Sequence, residues 1–384
     1  MVPKGWTLLQ VSDICKLQNG NSFKPHEWDI QGLPIIRIQN LNGSDNYNYF
    51  SGVPQDKWLV EPGQLLFSWA GTKGVSFGPF IWNGPKGVLN QHIYKVFANE
   101  NVHGHWLYLA LLHITQKIEA QAHGFKSTLL HVQKKDIDNQ FVLTPPVAEQ
   151  KKIAQILFTW DKAISVTEKF LANSQQQKKA LMQQLITGKK RLLDERGVRY
   201  GGEWHRAELG AVLDYMQPTP YLVDSTDYND SYSIPVLTAG KSFVLGYTNE
   251  EHGIYHAPLP AIIFDDFTTD SKFVDFEFKA KSSAMKILTA KKGVSAKYIF
   301  EAMQMLKFKI GGHQRHWISI YSNLVIPIPD AKEQQKIASV LSTADAEIAT
   351  LEKKLACLKD EKKALMQQLL TGKRRVKVDE AVAA

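Results

Sequence analysis

One segment of this chain occurs twice, and no other feature constrains the fold as much. Residues 149–191 return as 333–375 at a constant offset of 184 without a gap, and 25 of the 43 aligned positions are identical. Glu149-Gln150-Lys151-Lys152-Ile153-Ala154 answers to Glu333-Gln334-Gln335-Lys336-Ile337-Ala338, and Lys178-Lys179-Ala180-Leu181-Met182-Gln183-Gln184-Leu185 answers to Lys362-Lys363-Ala364-Leu365-Met366-Gln367-Gln368-Leu369. Self-similarity on this scale means one structural unit built twice. In the first copy Ile153, Leu157, Trp160, Ile164, Leu171, Leu181 and Leu185 fall on alternating spacings of four and three, with Thr167, Ser174 and Lys178 completing the series. The same register in the second copy gives Ile337, Leu341, Ile348, Leu351, Leu355, Leu365 and Leu369, with Ala344, Leu358 and Lys362 between them. This is the heptad seam of a coiled coil, and these residues are the expected helix-pair and subunit interface.

The ends of each helix are marked. Pro145-Pro146 and Pro327 with Pro329 close an extended segment, because proline disfavours helix in the residue before it. Gly188 and Gly372 stand at the C-cap position, followed by basic residues that suit the negative end of the helix dipole. A helix from 149 to 187 is roughly 57 Å long at about 1.5 Å per residue. Two such helices related by a two-fold run antiparallel, which places a globule at each end of the rod. The polar seam residues Thr167, Ser174, Lys178 and Lys362 admit two readings: stems that pack while heads reach water, or groups that fix register.

Before each helix lies a segment of short β-like runs separated by turn residues, such as Leu33–Ile38, Gln64–Trp69 and His92–Val96, then Ala261–Phe264 and Ala284–Ile287. Each segment has one helix near its end, around His105–Ala122 and Ser295–Phe308, and Trp6 and Trp204 open the two halves alike. The predicted class is α+β: two α+β recognition domains joined by two long helices in an antiparallel coiled coil, with pseudo-two-fold internal repeat. The boundaries are 1–148, first globule; 149–188, first helix; 189–202, basic linker; 203–330, second globule; 331–372, second helix; and 373–384, basic tail.

Composition narrows the function without choosing it. The formal net charge of +8 permits a polyanionic partner but does not require one. Two cysteines, Cys15 and Cys357, argue against a disulfide framework, and the N-terminus has no signal-peptide pattern, so a reducing cytoplasm is expected. No run is long and apolar enough for a membrane span.

Two variable globules, each followed by a helix opening Pro-x-x-x-Glu-Gln (from Pro145 and Pro329) and closing Lys-Lys-Ala-Leu-Met-Gln-Gln-Leu-x-Thr-Gly-Lys, resemble the specificity subunits of type I restriction–modification enzymes. The likeness runs from Gly5-Trp6 to Arg375, and the helix copies are its most specific part. Ile35-Ile36-Arg37-Ile38-Gln39-Asn40-Leu41 and Gly63-Gln64-Leu65-Leu66-Phe67-Ser68-Trp69-Ala70-Gly71-Thr72 also match, whereas the second globule departs at Phe264-Asp265-Asp266-Phe267-Thr268-Thr269. The resemblance implies that each globule reads one half of a bipartite double-stranded DNA target and that the helix pair sets the unread gap. It also implies that the helices hold two adenine-methyltransferase subunits and that restriction subunits join them. S-adenosylmethionine, ATP and magnesium then belong to those partners, and this chain carries no cofactor and no metal.

Catalytic signatures are absent. The only Pro-Pro loop near an Asn-Pro-Pro-Tyr pattern is Thr144-Pro145-Pro146-Val147, which lacks the amide and the aromatic that hold a flipped base. No Gly-x-x-x-x-Gly-Lys-Ser/Thr cradle occurs. Asp265, Asp266 and Asp270 with Lys272 have the composition of a nuclease cluster, but neighbouring strand carboxylates point to opposite faces. His313 and His316 lack a third ligand nearby. The chain is therefore read as non-catalytic.

Reading bases needs donors and acceptors at groove edges and cations on phosphates. Two regions per half qualify. The first half offers Ser68, Trp69, Thr72 and Lys73 with Gln91 and His92, and a late loop with Lys126, Ser127 and Thr128. The second offers Thr268, Thr269 and Lys272, then His313, Gln314, Arg315 and His316, with Lys241 as a further phosphate contact. Lys189-Lys190-Arg191 and Lys373-Arg374-Arg375 either touch DNA or are solvated helix ends. The rival class is a non-catalytic coiled-coil adaptor whose globules bind protein.

Overall fold

The heptad spacing builds two helices that pair antiparallel. The computed structural model describes residues 2–121, 129–238, 240, 242–306 and 316–378. The chain divides into two compact units, Met1–Val166 with Leu355–Ala384, and Thr167–Lys354. Each unit is one globule, half of the helix that follows it and half of the other.

In the first unit β1 (Thr7–Gln10) pairs antiparallel with β12 (Phe141–Thr144) at the foot of the globule. Above it β2 (Cys15–Asn19), β10 (Ile93–Ala98), β6 (Leu65–Ser68) and β8 (Gly78–Ile81) form an antiparallel sheet in that order. A second sheet runs β4 (Asn48–Phe50), β3 (Leu33–Ile36), β9 (Gly87–Leu89), β5 (Leu59–Val60), with β3 and β9 parallel. β7 (Ala70–Thr72) pairs with β11 (Leu129–His131). Helix α1 (Gly104–Gln121) buries Trp106, Leu107, Ile114 and Ile118 against Phe67 and Val96. Met366, Leu369 and Leu370 from the end of the second long helix enter the same core.

The second unit repeats this plan. β13 (His205–Glu208) pairs with β21 (Val325–Ile328), and β14 (Leu213–Met216), β20 (Met285–Ala290), β17 (Ala261–Asp265) and β18 (Ser271–Val274) form its antiparallel sheet. β16 (Val244–Thr248), β15 (Ile234–Leu237) and β19 (Lys279–Ala280) form the smaller sheet, again with one parallel pair. A helix at Ala296–Gln304 packs Tyr298, Ile299 and Ala302 against Phe264 and Leu288, and the core takes in Met182, Leu185 and Ile186 of the first long helix.

The long helices are α2 (Val147–Leu185) and, counting the helix at Ala296–Gln304 as α3, α4 (Ala331–Leu370). Asp330 caps α4, its Oδ1 accepting from the backbone N–H of Lys332 and Glu333 at 2.9 and 3.0 Å. Gly188 and Gly372 end the helices with φ of 70° and 67°, the left-handed conformation that glycine adopts without strain. Between Ile164 and Lys178, and between Ile348 and Lys362, the seam positions are buried or half-buried and every other residue is exposed. No helix among the described residues is long and apolar enough to cross a membrane.

Lys362, Lys178 and Ser174 of the seam are paired with side chains of the opposite helix. In the first unit Lys362 on α4 is ion-paired with Asp161 on α2. In the second, Lys178 on α2 meets Asp345 on α4 at 2.5 Å, and Ser174 Oγ donates to Glu347 at 2.9 Å. Asp345 is Asp161 plus 184 and Lys362 is Lys178 plus 184, so one bond is made twice by the repeat.

In the basic ends Lys189, Lys190, Lys373 and Arg374 are exposed, whereas Arg191 and Arg375 are ion-paired. Arg191 donates from Nε and Nη2 to Glu333 at 2.6 Å each, and Trp204 Nε1 donates to Glu333 Oε2 at 2.9 Å. The counterpart is Arg375 on Glu149, at 3.0 Å from Nε and 2.5 Å from Nη2, with Trp6 Nε1 at 3.2 Å. Each guanidinium also lies over its tryptophan ring, at 5.3 and 5.5 Å. These arginines belong to clamps that tie a linker or tail to the first turn of a long helix. Arg191 is 21% exposed and Arg375 41%, so the first clamp is the more buried of the two.

Candidate nucleic-acid interface

The sheet edge of the first globule gathers an aromatic cluster at the residues singled out by sequence. β6 ends at Ser68 and β7 begins at Ala70, leaving Trp69 at the break. The backbone N–H of Trp69 donates to His92 O at 3.2 Å, and its carbonyl accepts from the Val132 N–H at 2.9 Å. Trp69 Nε1 donates to Gln91 O at 3.1 Å. Around the indole stand His131 at 4.6 Å and His92 at 5.1 Å, both edge-on, and Tyr94 stacked at 6.0 Å. Burial holds His92 below its ordinary pKa, and the neighbouring His131 adds to this. A neutral imidazole offers one donor and one acceptor.

β7 and β11 join the two predicted regions of this half. Leu129 lies opposite Thr72 and His131 opposite Ala70, so the chain leaving the late loop is hydrogen-bonded to the first segment. Glu119 of α1 accepts from the Gly74 N–H at 2.8 Å and fixes the turn that carries Lys73. Lys126, Ser127 and Thr128 lie outside the described residues. Ser68 does not serve as proposed from sequence: it is fully buried, and its hydroxyl donates to Ala70 O at 2.7 Å. The strand is covered on both faces here, since the consecutive Leu66, Phe67 and Ser68 are all fully buried.

The second globule reaches a similar juxtaposition by another device. β17 and β18 form a hairpin whose turn is capped by Asp265, with Oδ1 accepting from Phe267 and Thr268 N–H at 2.8 and 2.9 Å. Thr269 sits at φ 61°, a left-handed conformation costly for a β-branched residue and frequent at functional turns. Asp266 points inward, with Oδ2 at 3.1 Å from Lys286 Nζ, and both side chains are buried. Lys286 also donates to Gln217 Oε1 at 3.0 Å. The backbone N–H of His316 donates to Asp266 O at 3.0 Å and that of Trp317 to Asp266 Oδ1 at 2.9 Å. The segment after the late loop is thereby tied to the hairpin turn. Thr268 is exposed and Lys272 half-buried on β18.

His316 is 1% exposed, so its imidazole is inside the globule and not on a DNA-facing surface as predicted. Lys241, His313, Gln314 and Arg315 lie outside the described residues. The carboxylates named as a possible nuclease cluster are dispersed: Asp265 caps the turn, while Asp266 is ion-paired in the core. Among the described residues one trio, Asp224, Glu250 and His252, has donor atoms close enough for a shared cation. The Lys279 ammonium already stands at 2.6 Å from Glu250, and His252 is 2.9 Å from Asp224.

Sequence reasoning missed His131, Tyr94 and the Asp266–Lys286 anchor. Lys286 inside an apolar strand was a usable signal, since a charge at an inward position needs a partner. Nothing local marked His131.

Comparison with known proteins bears on both globules. A family model described as the type I restriction modification DNA specificity domain matches residues 3–173 and again 202–360. The specificity subunit of the Escherichia coli type I restriction enzyme EcoR124I/EcoR124II is 52% identical over 145 residues, covering 36% of this chain and 35% of that relative. A putative type I restriction enzyme MjaX specificity subunit from Methanocaldococcus jannaschii is 25% identical over 419 residues, covering 98% of this chain and 95% of the relative. In fold, the chain is similar to the S subunit of a type I restriction–modification system from M. genitalium, with a TM-score of 0.65 at 14% identity and 96% coverage of each chain.

Proposed function

Because the chain belongs to the type I restriction–modification DNA specificity family, matched over both of its repeats, we propose that it is the sequence-reading subunit of such an enzyme. Each globule reads one half of a bipartite double-stranded target. The observation that carries this is the paired arrangement: in each globule the first candidate segment is hydrogen-bonded to the chain that leaves the late loop. The first segment and the chain that follows the late loop therefore meet at one place in each globule. The helix pair, registered by Asp161–Lys362 and Lys178–Asp345, sets the unread gap.

Two adenine-methyltransferase subunits dock on the helices, where Val166 and Phe170 are 42% and 59% exposed, and restriction subunits join through them. S-adenosylmethionine, ATP and magnesium act on those partners, and this chain contributes recognition without catalysis, in the cytoplasm. The test is adenine-methylation mapping of DNA from cells given this chain with its methyltransferase partner. A single split motif methylated on both strands is expected, with Arg315→Ala altering only one half of it. An active partner that gains no new motif would leave a protein-binding adaptor as the better reading.

A further inference from the structure

A cavity of about 610 Å³ opens in the first unit beside the first turns of α1 and α2. Gln150 ties those turns together, accepting from the His103 backbone N–H at 2.8 Å and donating to Asn101 O at 3.2 Å. Helix N-termini carry unsatisfied N–H groups and the positive end of the dipole. The side chains that matter are His103, His105, Lys151, Lys152, Lys377 and Phe158, and no carboxylate lines the space. Among the described residues none of the three lysines is ion-paired, and His103 Nδ1 is buried without a hydrogen-bond partner. Burial holds His103 below its ordinary pKa, and His105 and Lys151 push it further down.

The second unit carries a different set of groups at the corresponding positions, although Lys336 keeps the cation of Lys152 and Lys332 stands where the first unit has Ala148. Gln334 accepts from the Ser295 N–H at 2.9 Å, the contact that Gln150 makes to His103, and this sets the correspondence. There Ser295 replaces His103, Gln335 replaces Lys151 and Ser342 replaces Phe158. Lys297 replaces His105 and is neutralised by Glu301 and Asp345, both at 2.7 Å. What the first unit has and the second lacks is the exposed aromatic ring and the two histidines beside the lysines.

We propose that this cavity binds an organic phosphate of nucleotide size. Its phosphates lie between Lys151, Lys152 and the helix ends, where anions are favoured. Its ring lies on Phe158, which is 61% exposed and edge-on to His105 at 6.5 Å. The volume is in the range of small-molecule sites. The site is distinct from the DNA-reading edge: α1 has 18 residues, roughly 27 Å at about 1.5 Å per residue, and the late loop follows its far end.

Calorimetric titration of the full chain with ATP and, separately, with pyrophosphate tests the assignment. Saturable one-to-one binding of ATP is expected, with pyrophosphate weaker. Lys151→Glu with Lys152→Glu weakens both by about tenfold or more, whereas Lys336→Glu at the counterpart in the second unit changes neither. Phe158→Ala weakens ATP and leaves pyrophosphate unchanged. Absence of saturable binding by both ligands, or binding that survives the double charge reversal, overturns the proposal. So does a Phe158→Ala variant with unchanged ATP affinity. If neither phosphate binds and the double reversal instead blocks assembly with the methyltransferase subunit, the surface belongs to an acidic protein segment and the proposal falls.

Discussion

Replacing Arg191 with methionine isolates the energetics of the duplicated clamps. The Glu333 side chain is fully buried, and Arg191 is 21% exposed and supplies two of its three side-chain hydrogen bonds. Removing one partner of a buried ion pair costs about 3–5 kcal/mol, because the remaining charge stays desolvated. The donor left on Trp204 and the partial exposure of Arg191 place the expected loss near the lower end, about 3 kcal/mol. The counterpart gives an internal control. Arg375 is 41% exposed and Glu149 11%, so Arg375→Met falls nearer the range of solvated pairs, about 1 kcal/mol. Urea unfolding followed by tryptophan fluorescence and far-ultraviolet dichroism reads both, since Trp204 and Trp6 sit in the two clamps. The two compact units are to be fitted as separate transitions if they separate. Adding Glu333→Gln to Arg191→Met removes the stranded charge and recovers much of the loss, a non-additivity that a double-mutant cycle measures. Equal losses at Arg191 and Arg375, or an additive double variant, would refute the reasoning.

Three further outcomes are expected. Trp69→Ala costs about 1–3 kcal/mol of binding at one half of the target and spares the other, which competition binding with half-altered duplexes would register; equal loss at both halves would contradict the division of labour. Burial pushes the Cys15 thiol up to about 12, while Cys357 is exposed on α4. A thiol-specific alkylating reagent near neutral pH therefore labels Cys357 in the native chain and reaches Cys15 only on unfolding, and simultaneous labelling of both would count against the packing around Cys15. Partial burial raises the Glu250 carboxyl, but the Lys279 ammonium and the backbone N–H groups of Ser225 and Asp224 outweigh it and hold the group at about 2 instead of 4.5. A depressed carboxyl contributes stability that is complete above its ordinary value and lost as the pH falls towards its folded one. Melting between pH 5 and about 2 should show that loss in the native chain and a shallower dependence in Glu250→Gln; identical profiles would remove Glu250 from the acid response.

The sequence alone determined the helix pair. A seam repeating every 3.5 residues on average gives one apolar face, and two gapless copies related by symmetry give an antiparallel pair. Gly188 and Gly372 then mark the ends, because the left-handed turn there favours glycine. The strands around Leu65, Ile93, Ile262 and Ile287 were legible for the same kind of reason, period and turn chemistry being local. What the tertiary structure decided was partnership and facing. Glu149 and Arg375 are 226 positions apart, and no local period couples them. Hence Arg191 and Arg375 could not be told from the exposed lysines and arginine beside them until their carboxylates were placed. Inward or outward direction at a turn likewise depends on what the turn packs against. Ser68 and Asp266 share their short polar segments with Trp69 and Thr268, yet the first two are buried and Thr268 is exposed. His131 joins Trp69 only through the β7–β11 ladder, and strand pairing across a loop is a long-range choice settled by packing, which the order of residues does not reveal.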